Sequence, residues 1–215
     1  MNYFLHEFKV NSSKIYLLEF DNNFDPQEYL DTLTEIELER YLEFKSDKRK
    51  KEFIAIRILK NQLFGYQEIK YESHGAPYIH SDSNENTFIS ISHAKNLVGI
   101  ACNTDFQVGF DIEQVKPKIT KIFHKFLNSQ EKEIFDLDNT SELTSCWSFK
   151  ETLYKLAGRK LIDFKTELLL LEKTKNRVKG KIINPKEEIL VDLHCFEFKN
   201  NVITINSSEV VRIHA

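Results

Sequence analysis

The order of the predicted elements constrains the fold of this chain more than any other feature of its sequence. Residues 1–20 alternate apolar and polar side chains as a β-strand does, and helical periodicity then continues through residues 34–64. Short strands, a second helix around Trp147 and an alternating stretch at 165–213 follow. Each half of the chain therefore combines a long helix with several strands, which predicts two α+β halves.

Short patterns predict where the helices begin and end. Thr34 and Glu37 would form a capping box that opens the first helix, and Gly65 would end the helical stretch that follows. One or two helices are expected at 119–136, and Gly158 would cap the end of the Trp147 helix. That helix has an apolar stripe formed by Cys146, Phe149, Leu153 and Leu156.

The fold class we predict is α+β, and the junction between the two halves would fall near residues 103–107. No convincing residue-by-residue repeat relates one half to the other. A hydrophobic fraction of 41%, with 17 phenylalanines in 215 residues, is sufficient to bury a core. Because no low-complexity linker separates the halves, we expect them to pack tightly.

Charge and cysteine content narrow the class of protein further. A net charge of -3 gives no general attraction to nucleic acid. The three cysteines are far apart and odd in number, which fits neither a disulfide framework nor a zinc site: Cys102, Cys146 and Cys195. The N-terminal residues resemble no signal peptide, and no apolar stretch is long enough to span a membrane. We expect a soluble cytoplasmic protein that does not bind membranes.

Two carboxylates stand at alternate positions of the predicted strand that begins at Val108. Since alternate side chains of a strand share one face, Asp111 and Glu113 point the same way, about 7 Å apart, and can meet one small cation. The alternative interpretation is the solvated face of a half-buried strand. Gly109 lies on the same face and leaves room for a ligand or a close backbone.

The helix around Trp147 carries a second charged pair. Glu151 and Lys155 lie one turn apart, and a solvent-exposed pair at this spacing contributes only about 0.3–0.5 kcal/mol. A surface helix rarely exposes the only tryptophan of a chain, so this stripe indicates a second interface or a pocket. Three carboxylates and a lysine are typical of a site for a hard divalent metal and a phosphate ester.

Other polar groups suit a phosphate-containing ligand. Ser92 and His93 end a strand, and a lone histidine is more often structural than functional. The basic run at 45–51 is either a solvated helix face or a phosphate site. Because no glycine-rich nucleotide loop is present, side chains and metal would have to hold such a ligand.

Four motifs, taken in order, resemble the 4′-phosphopantetheinyl transferases of the two-lobed, surfactin-synthetase-activating type. That family carries a glycine-x-proline loop, then I/S-S-H, then G-x-D-x-E, then W-x-x-K-E-x-x-x-K. The corresponding segments here are Gly75–Pro77, Ile91–His93, Gly109–Glu113 and Trp147–Lys155. The resemblance covers about residues 34–160, and beyond that the strands match only in character.

The resemblance implies two similar lobes related by a pseudo-twofold axis, each a small, largely antiparallel sheet packed against a long helix. The lobes would span residues 1–104 and 105–215.

The resemblance also implies an enzyme that works as a monomer. It would transfer the 4′-phosphopantetheine arm of coenzyme A to a serine of apo acyl or peptidyl carrier proteins and release 3′,5′-ADP. Asp111, Glu113 and Glu151 would bind Mg²⁺. Glu151 would be the base, with Glu113 as second candidate, and Lys155 would neutralise or protonate the leaving phosphate.

The resemblance also implies the contacts to coenzyme A. They are Arg40, Lys51, Gly75, Pro77, Ser92, His93, Lys150 and Lys155. In the basic run, the alignment leaves Lys48, Arg49 and Lys50 as further candidates for the 3′-phosphate. Ala76 stands where family members often carry lysine, so one cation is either missing or supplied from elsewhere.

Residues 114–127 are either the docking segment for an acidic carrier protein or an ordinary solvated face; their lysines are Lys116, Lys118, Lys121 and Lys125.

Three other functions of the protein stay open on the sequence. One is another Mg²⁺-dependent phosphotransferase or nuclease without affinity for coenzyme A. Another is a catalytically inactive relative that binds carrier proteins or coenzyme A. The last is a nucleic-acid binder built on residues 45–51, which would bind in a steeply salt-dependent way.

Overall fold

Two antiparallel sheets, each with a long helix on one face, form the described part of the molecule. A computed structural model describes residues 2–73, 75–80 and 86–214. Within these residues each sheet has six strands, so the prediction of a two-lobed α+β fold is confirmed. None of the described helices combines the length and the hydropathy needed to cross a bilayer.

The first sheet is built from the N-terminal half of the chain. Its strands are β1 (Tyr3–Val10), β2 (Ser13–Phe20), β3 (Ile69–Tyr71), β4 (Pro77–His80), β5 (Asn86–Ala94) and β6 (Leu97–Asn103). They lie in the order β1-β2-β6-β5-β4-β3 and pair antiparallel throughout. This arrangement places β5 and β6 at the centre of the sheet.

Two helices cover this sheet where the sequence predicts one. Helix α1 (Glu35–Glu43) begins with the predicted capping box, in which the Thr34 and Glu37 side chains each accept from the other's backbone N–H. Phe44 then takes an extended conformation and ends α1, so the expectation of one continuous helix was wrong. Helix α2 (Asp47–Phe64) packs against β2 and β6, and Gly65, at φ +63°, ends it as predicted.

The second sheet follows in the chain. Its strands are β7 (Phe110–Gln114), β8 (Leu168–Thr174), β9 (Arg177–Asn184), β10 (Glu187–Phe198), β11 (Asn201–Asn206) and β12 (Val211–His214). The order is β7-β11-β10-β9-β8, with β12 paired to the free part of β10. The predicted antiparallel meander at 165–213 is therefore present, and β7 is an edge strand of this sheet.

Helix α4 (Thr140–Leu156) lies across β7, β11 and β8. Its predicted apolar stripe is buried in the core of this lobe: Cys146, Phe149, Leu153 and Leu156. Asn139 caps the helix through its side chain, and Gly158, at φ +65°, follows its end as predicted. The stretch at 119–136, predicted as one or two helices, forms mainly 3₁₀ turns and the short helix α3 (Glu131–Ile134).

The two lobes share a buried apolar core. Phe110 and Ile112 of β7 are buried with Ile15, Leu17 and Ala101 of the first sheet. Gly99 of β6 makes this contact possible, because a Cβ there would lie 2.8 Å from a Phe110 ring atom. The lobes therefore pack tightly, as expected. The division at residue 104 stays a prediction, although β6 ends at Asn103 and β7 begins at Phe110.

Candidate active site

Two serine hydroxyls join the central strand β5 to the edge strand β7. The backbone N–H of Phe110 donates to Ser90 Oγ (3.0 Å), and that of Ile112 donates to Ser92 Oγ (3.1 Å). A buried edge strand would otherwise leave these N–H groups unpaired, at a cost in free energy. The serines at alternate positions of β5 thus fix the register of one lobe against the other.

Asp111 lies on this seam and is 4% exposed. Its Oδ1 accepts hydrogen bonds from Ser92 Oγ (2.9 Å) and from the Lys155 ammonium (3.0 Å). Its Oδ2 accepts from Ser148 Oγ of α4 (2.9 Å). Both lobes and α4 therefore hold this carboxylate in one orientation.

Lys155 binds both lobes at once. Besides Asp111, its Nζ donates to the carbonyl oxygens of Phe110 (2.6 Å) and Ile91 (3.3 Å). The side chain is 25% exposed, so the ammonium can still reach the space between the lobes.

Glu113 occupies the same face of β7 as Asp111, since both carboxylates contact α4. Its Oε1 accepts from the indole N–H of Trp147 over 2.8 Å. The Trp147 ring stacks on Phe164, with 5.2 Å between ring centroids. Burial raises the pKa of Glu113, the Asp111 charge raises it further, and the Trp147 hydrogen bond opposes the shift.

Glu151 is the third carboxylate of this region and interacts electrostatically with Asp111 and Glu113. Burial and the charges of Asp111 and Glu113 raise the pKa of Glu151 to about 7, although Lys155 opposes the shift. The stripe of α4 that carries Trp147, Glu151 and Lys155 is half-buried rather than solvated. The prediction of a second interface or a pocket on this helix face is thus confirmed.

Gly109 shows why α4 can come so close to β7. A Cβ at this position would lie 2.6 Å from Leu156 Cγ and 2.8 Å from the Thr152 carbonyl oxygen. Helix α4 therefore fills the space above the strand that the missing side chain of Gly109 leaves open. Of the two predicted uses, a ligand or a close backbone, the structure shows the second.

A cavity of about 580 Å³ opens between the lobes beside this group. Basic side chains from both lobes line it: Arg40, Arg49, Arg57 and His93 from the first, Lys155, Arg159 and Lys160 from the second. Aromatic and aliphatic side chains form the rest of the wall, including Phe44, Phe53, Ile56, Tyr71 and Tyr154. A ligand that combines negative charge with an apolar or aromatic part suits this lining.

His93 is held at the cavity wall by two partners from α2. Its Nε2 accepts from Arg49 over 3.0 Å, and its Nδ1 lies 3.3 Å from Glu52 Oε1. This arrangement assigns the proton of the neutral ring to Nδ1. Burial lowers the pKa of His93, and the positive charge of Arg49 adds to this, while Glu52 opposes it.

The G-x-D-x-E strand and the helix of the last motif both lie in a segment that a family model recognises. Residues 107–206 match the 4′-phosphopantetheinyl transferase superfamily. The match supports this superfamily for the chain, and with it a transferase of the phosphopantetheinyl transferase kind. None of the curated proteins compared with the chain matches it.

The match to the phosphopantetheinyl transferase superfamily spans only one side of the candidate site. It includes Lys155, which lines the cavity, and the three carboxylates, which are not among the lining residues. The cavity wall with Arg40, Arg49 and His93 precedes residue 107. Of the residues predicted to contact coenzyme A, the cavity brings together Arg40, Gly75, Pro77, His93 and Lys155. For these residues the predicted contact stays a prediction.

The structure places Lys150 away from the cavity, in contrast to its predicted contact with coenzyme A. Its side chain is fully buried, pairs with Glu131 (2.6 Å) and donates to the carbonyl oxygens of Phe164 and Leu168 (2.7 Å each). An ammonium group has three N–H donors, so all of them are used inside the lobe. Lys150 therefore has a structural role here and does not reach the cavity.

Two further residues lie outside the cavity. Lys51 donates to the Asn22 carbonyl oxygen (3.2 Å) and is not part of the cavity wall, in contrast to Arg49 on the same helix. Ser92 is 7% exposed, and its hydroxyl serves Ile112 and Asp111. Ser92 thus positions a carboxylate and does not line the cavity.

Sequence reasoning missed three cationic residues of the cavity wall. Arg57 lies on the mostly buried face of α2 and stacks on Phe53, with 4.3 Å from its guanidinium carbon to the ring centroid. Arg159 and Lys160 follow Gly158 directly after α4. An arginine among apolar helix residues, and a basic pair after the helix that carries Lys155, are the signals that could have identified them.

Proposed function

We propose that this protein transfers 4′-phosphopantetheine from coenzyme A to a serine of an apo acyl or peptidyl carrier protein, with Mg²⁺ as cofactor. In this proposal it is a phosphopantetheinyl transferase of the two-lobed, surfactin-synthetase-activating type and acts as a monomer, because one chain supplies both walls of the cavity. The superfamily match of residues 107–206 supports the reaction class.

One observation carries the choice of coenzyme A. The cavity of about 580 Å³ has cationic groups from both lobes and lies next to three carboxylates through Lys155. Coenzyme A combines three phosphate groups with an aromatic base and a long neutral arm. Charge-assisted hydrogen bonds from arginine and lysine suit the phosphates, and the aromatic side chains suit the base.

The carboxylate group fits Mg²⁺ in its chemistry. Carboxylate oxygens are the ligands that this hard cation prefers. Burial is the largest cause of the raised pKa of Glu151, and the negative charges of Asp111 and Glu113 raise it further. Among the residues that the structure describes, no three acidic, histidine or cysteine side chains converge closely enough to hold an ion. Asp111, Glu113 and Glu151 would thus have to draw together on binding.

In the proposed transfer reaction, Glu151 and Lys155 have different roles. The serine oxygen of the carrier protein forms a bond to the β-phosphorus, and the bond from that phosphorus to the oxygen of the α-phosphate breaks. Glu151 takes the serine proton in this proposal. Lys155 neutralises or protonates the departing 3′,5′-ADP. Mg²⁺, when bound, would draw charge from the phosphate oxygens.

Carrier-protein recognition is proposed for residues 114–127. The lysines of this segment, Lys116, Lys118, Lys121 and Lys125, are all exposed. The segment directly follows Glu113, so an acidic helix docked there would lie close to the carboxylates.

Intact-protein mass spectrometry of apo carrier proteins tests the proposal. Incubation with this protein, coenzyme A and Mg²⁺ should add the mass of one phosphopantetheine, and EDTA or Glu151→Gln should abolish the gain. Absence of any gain on acyl, peptidyl and aryl carrier proteins, with a folded enzyme, would overturn the general transferase activity. Binding of Mg²⁺ without affinity for coenzyme A would instead indicate another phosphotransferase.

A further inference from the structure

A chain of buried hydroxyl groups leads from α4 and β11 to the Asp111 carboxylate. Thr204 of β11 stands directly opposite Asp111 in the strand register. Its Oγ1 lies 2.8 Å from Ser148 Oγ and 2.7 Å from Thr152 Oγ1, both on α4. All three hydroxyl residues are fully buried, so water does not compete for these hydrogen bonds.

The direction of these hydrogen bonds follows from proton counting. Each hydroxyl has one proton to donate, and an ionised carboxylate can only accept. Because Ser148 donates to Asp111 Oδ2 (2.9 Å), the proton between Ser148 and Thr204 must come from Thr204. Thr204 shares this one proton between Ser148 Oγ (2.8 Å) and the Ser148 carbonyl oxygen (2.9 Å), so Thr152 must be the donor to Thr204. The chain therefore runs one way, from Thr152 to the carboxylate.

We propose that Thr204 is a positioning residue for the metal site, acting through Ser148 on the Asp111 carboxylate. This inference depends on the proposed function, because it assigns Asp111 as a metal ligand. By orienting Ser148, Thr204 keeps Oδ2 turned into the lobe and leaves Oδ1 beside Lys155, facing the other lobe. Partners behind a metal ligand of this kind change metal affinity by about 10- to 100-fold when they are removed.

Substitution by valine is the direct test, since valine has the shape of threonine without the hydroxyl. Full-length Thr204→Val should bind Mn²⁺ about 10-fold more weakly than the unaltered protein, as counted by electron paramagnetic resonance of free Mn²⁺. Thr204→Ser, which keeps the hydroxyl, should restore the affinity. The Michaelis constant for coenzyme A should change by less than about 2-fold, because Thr204 does not line the cavity.

Thr144→Val is the matched control. Thr144 lies on the same helix α4, is 3% exposed, and donates to the Thr140 carbonyl oxygen (2.8 Å) without contact to Asp111. It therefore loses a buried hydroxyl of similar kind but should keep the Mn²⁺ affinity. If Thr204→Val does not fold, Ser148→Ala takes its place and should show the same 10-fold loss.

The outcomes separate this inference from the proposed function. If the unaltered protein binds Mn²⁺ neither alone nor with coenzyme A, the metal-dependent function itself fails. If it binds Mn²⁺ and the folded Thr204→Val or Ser148→Ala variant binds equally well, the positioning role is overturned. An equal loss in Thr144→Val would also overturn it, because a general loosening of α4 would then explain the result.

Discussion

The Lys155 ammonium lies 3.0 Å from Asp111 Oδ1, so a side-chain cation already pairs with a carboxylate that is proposed as a metal ligand. The same ammonium donates to backbone carbonyls of both lobes. Lys155 can therefore compensate part of the negative charge before substrate binds and stay close to a phosphate afterwards. This dual position makes it the most informative residue for mutation.

We expect Lys155→Gln to lower kcat by about 100-fold or more, because a positioned charge that stabilises a developing oxyanion contributes on this scale. Steady-state kinetics with an apo carrier protein measures the effect. Lys186→Gln, at the exposed turn between β9 and β10, is the control and should keep full activity. A Lys155→Gln variant with nearly unchanged kcat would show that this ammonium takes no part in catalysis.

Two basic residues of α2 provide a matched pair for coenzyme A binding. Arg49 lines the cavity, whereas Lys51 is tied to the Asn22 carbonyl oxygen outside it. Loss of one charge-assisted hydrogen bond costs about 1.5–3 kcal/mol, so Arg49→Gln should weaken coenzyme A binding at least 10-fold. Lys51→Gln should leave it unchanged. Isothermal titration calorimetry checks both, and a reversed order would contradict the placement of the site.

Lys150 should act on stability rather than on substrate binding. Lys150→Met leaves the buried Glu131 charge without its partner, which costs about 3–5 kcal/mol of the free energy of unfolding. The double variant Lys150→Met, Glu131→Gln should recover part of this loss. Urea denaturation measures it. The prediction fails if Lys150→Met keeps its stability and instead raises the Michaelis constant for coenzyme A.

His93 should make the protein less stable in mild acid. Burial lowers its pKa in the folded protein below the unfolded value of 6.5, so the unfolded chain binds more protons just below that pH. Its contribution to stability is therefore present above pH 6.5 and is lost as the pH falls through the folded pKa. His93→Gln should flatten the fall in melting temperature between about pH 7 and pH 5. An identical pH profile in both proteins would exclude His93 as its source.

Much of the local structure follows from short sequence patterns. The Thr34–Glu37 capping box, the helix ends at Gly65 and Gly158, and the apolar stripe of α4 depend on neighbouring residues alone. The same holds for the shared face of Asp111 and Glu113. The break between α1 and α2 was missed because a basic run continues the helical period while the backbone turns at Phe44.

The sequence by itself determined the two-lobed α+β class and the carboxylate and lysine motifs, because strand and helix periodicity are set by near neighbours. Only the tertiary structure decided which of the charged side chains face the cavity. Lys150 forms an ion pair with the buried Glu131, while Arg49 and Arg57 line the cavity wall. Thr204 meets Asp111 across 93 positions of the chain through the pairing of β7 with β11. Such contacts depend on how distant elements pack, and no local pattern encodes them.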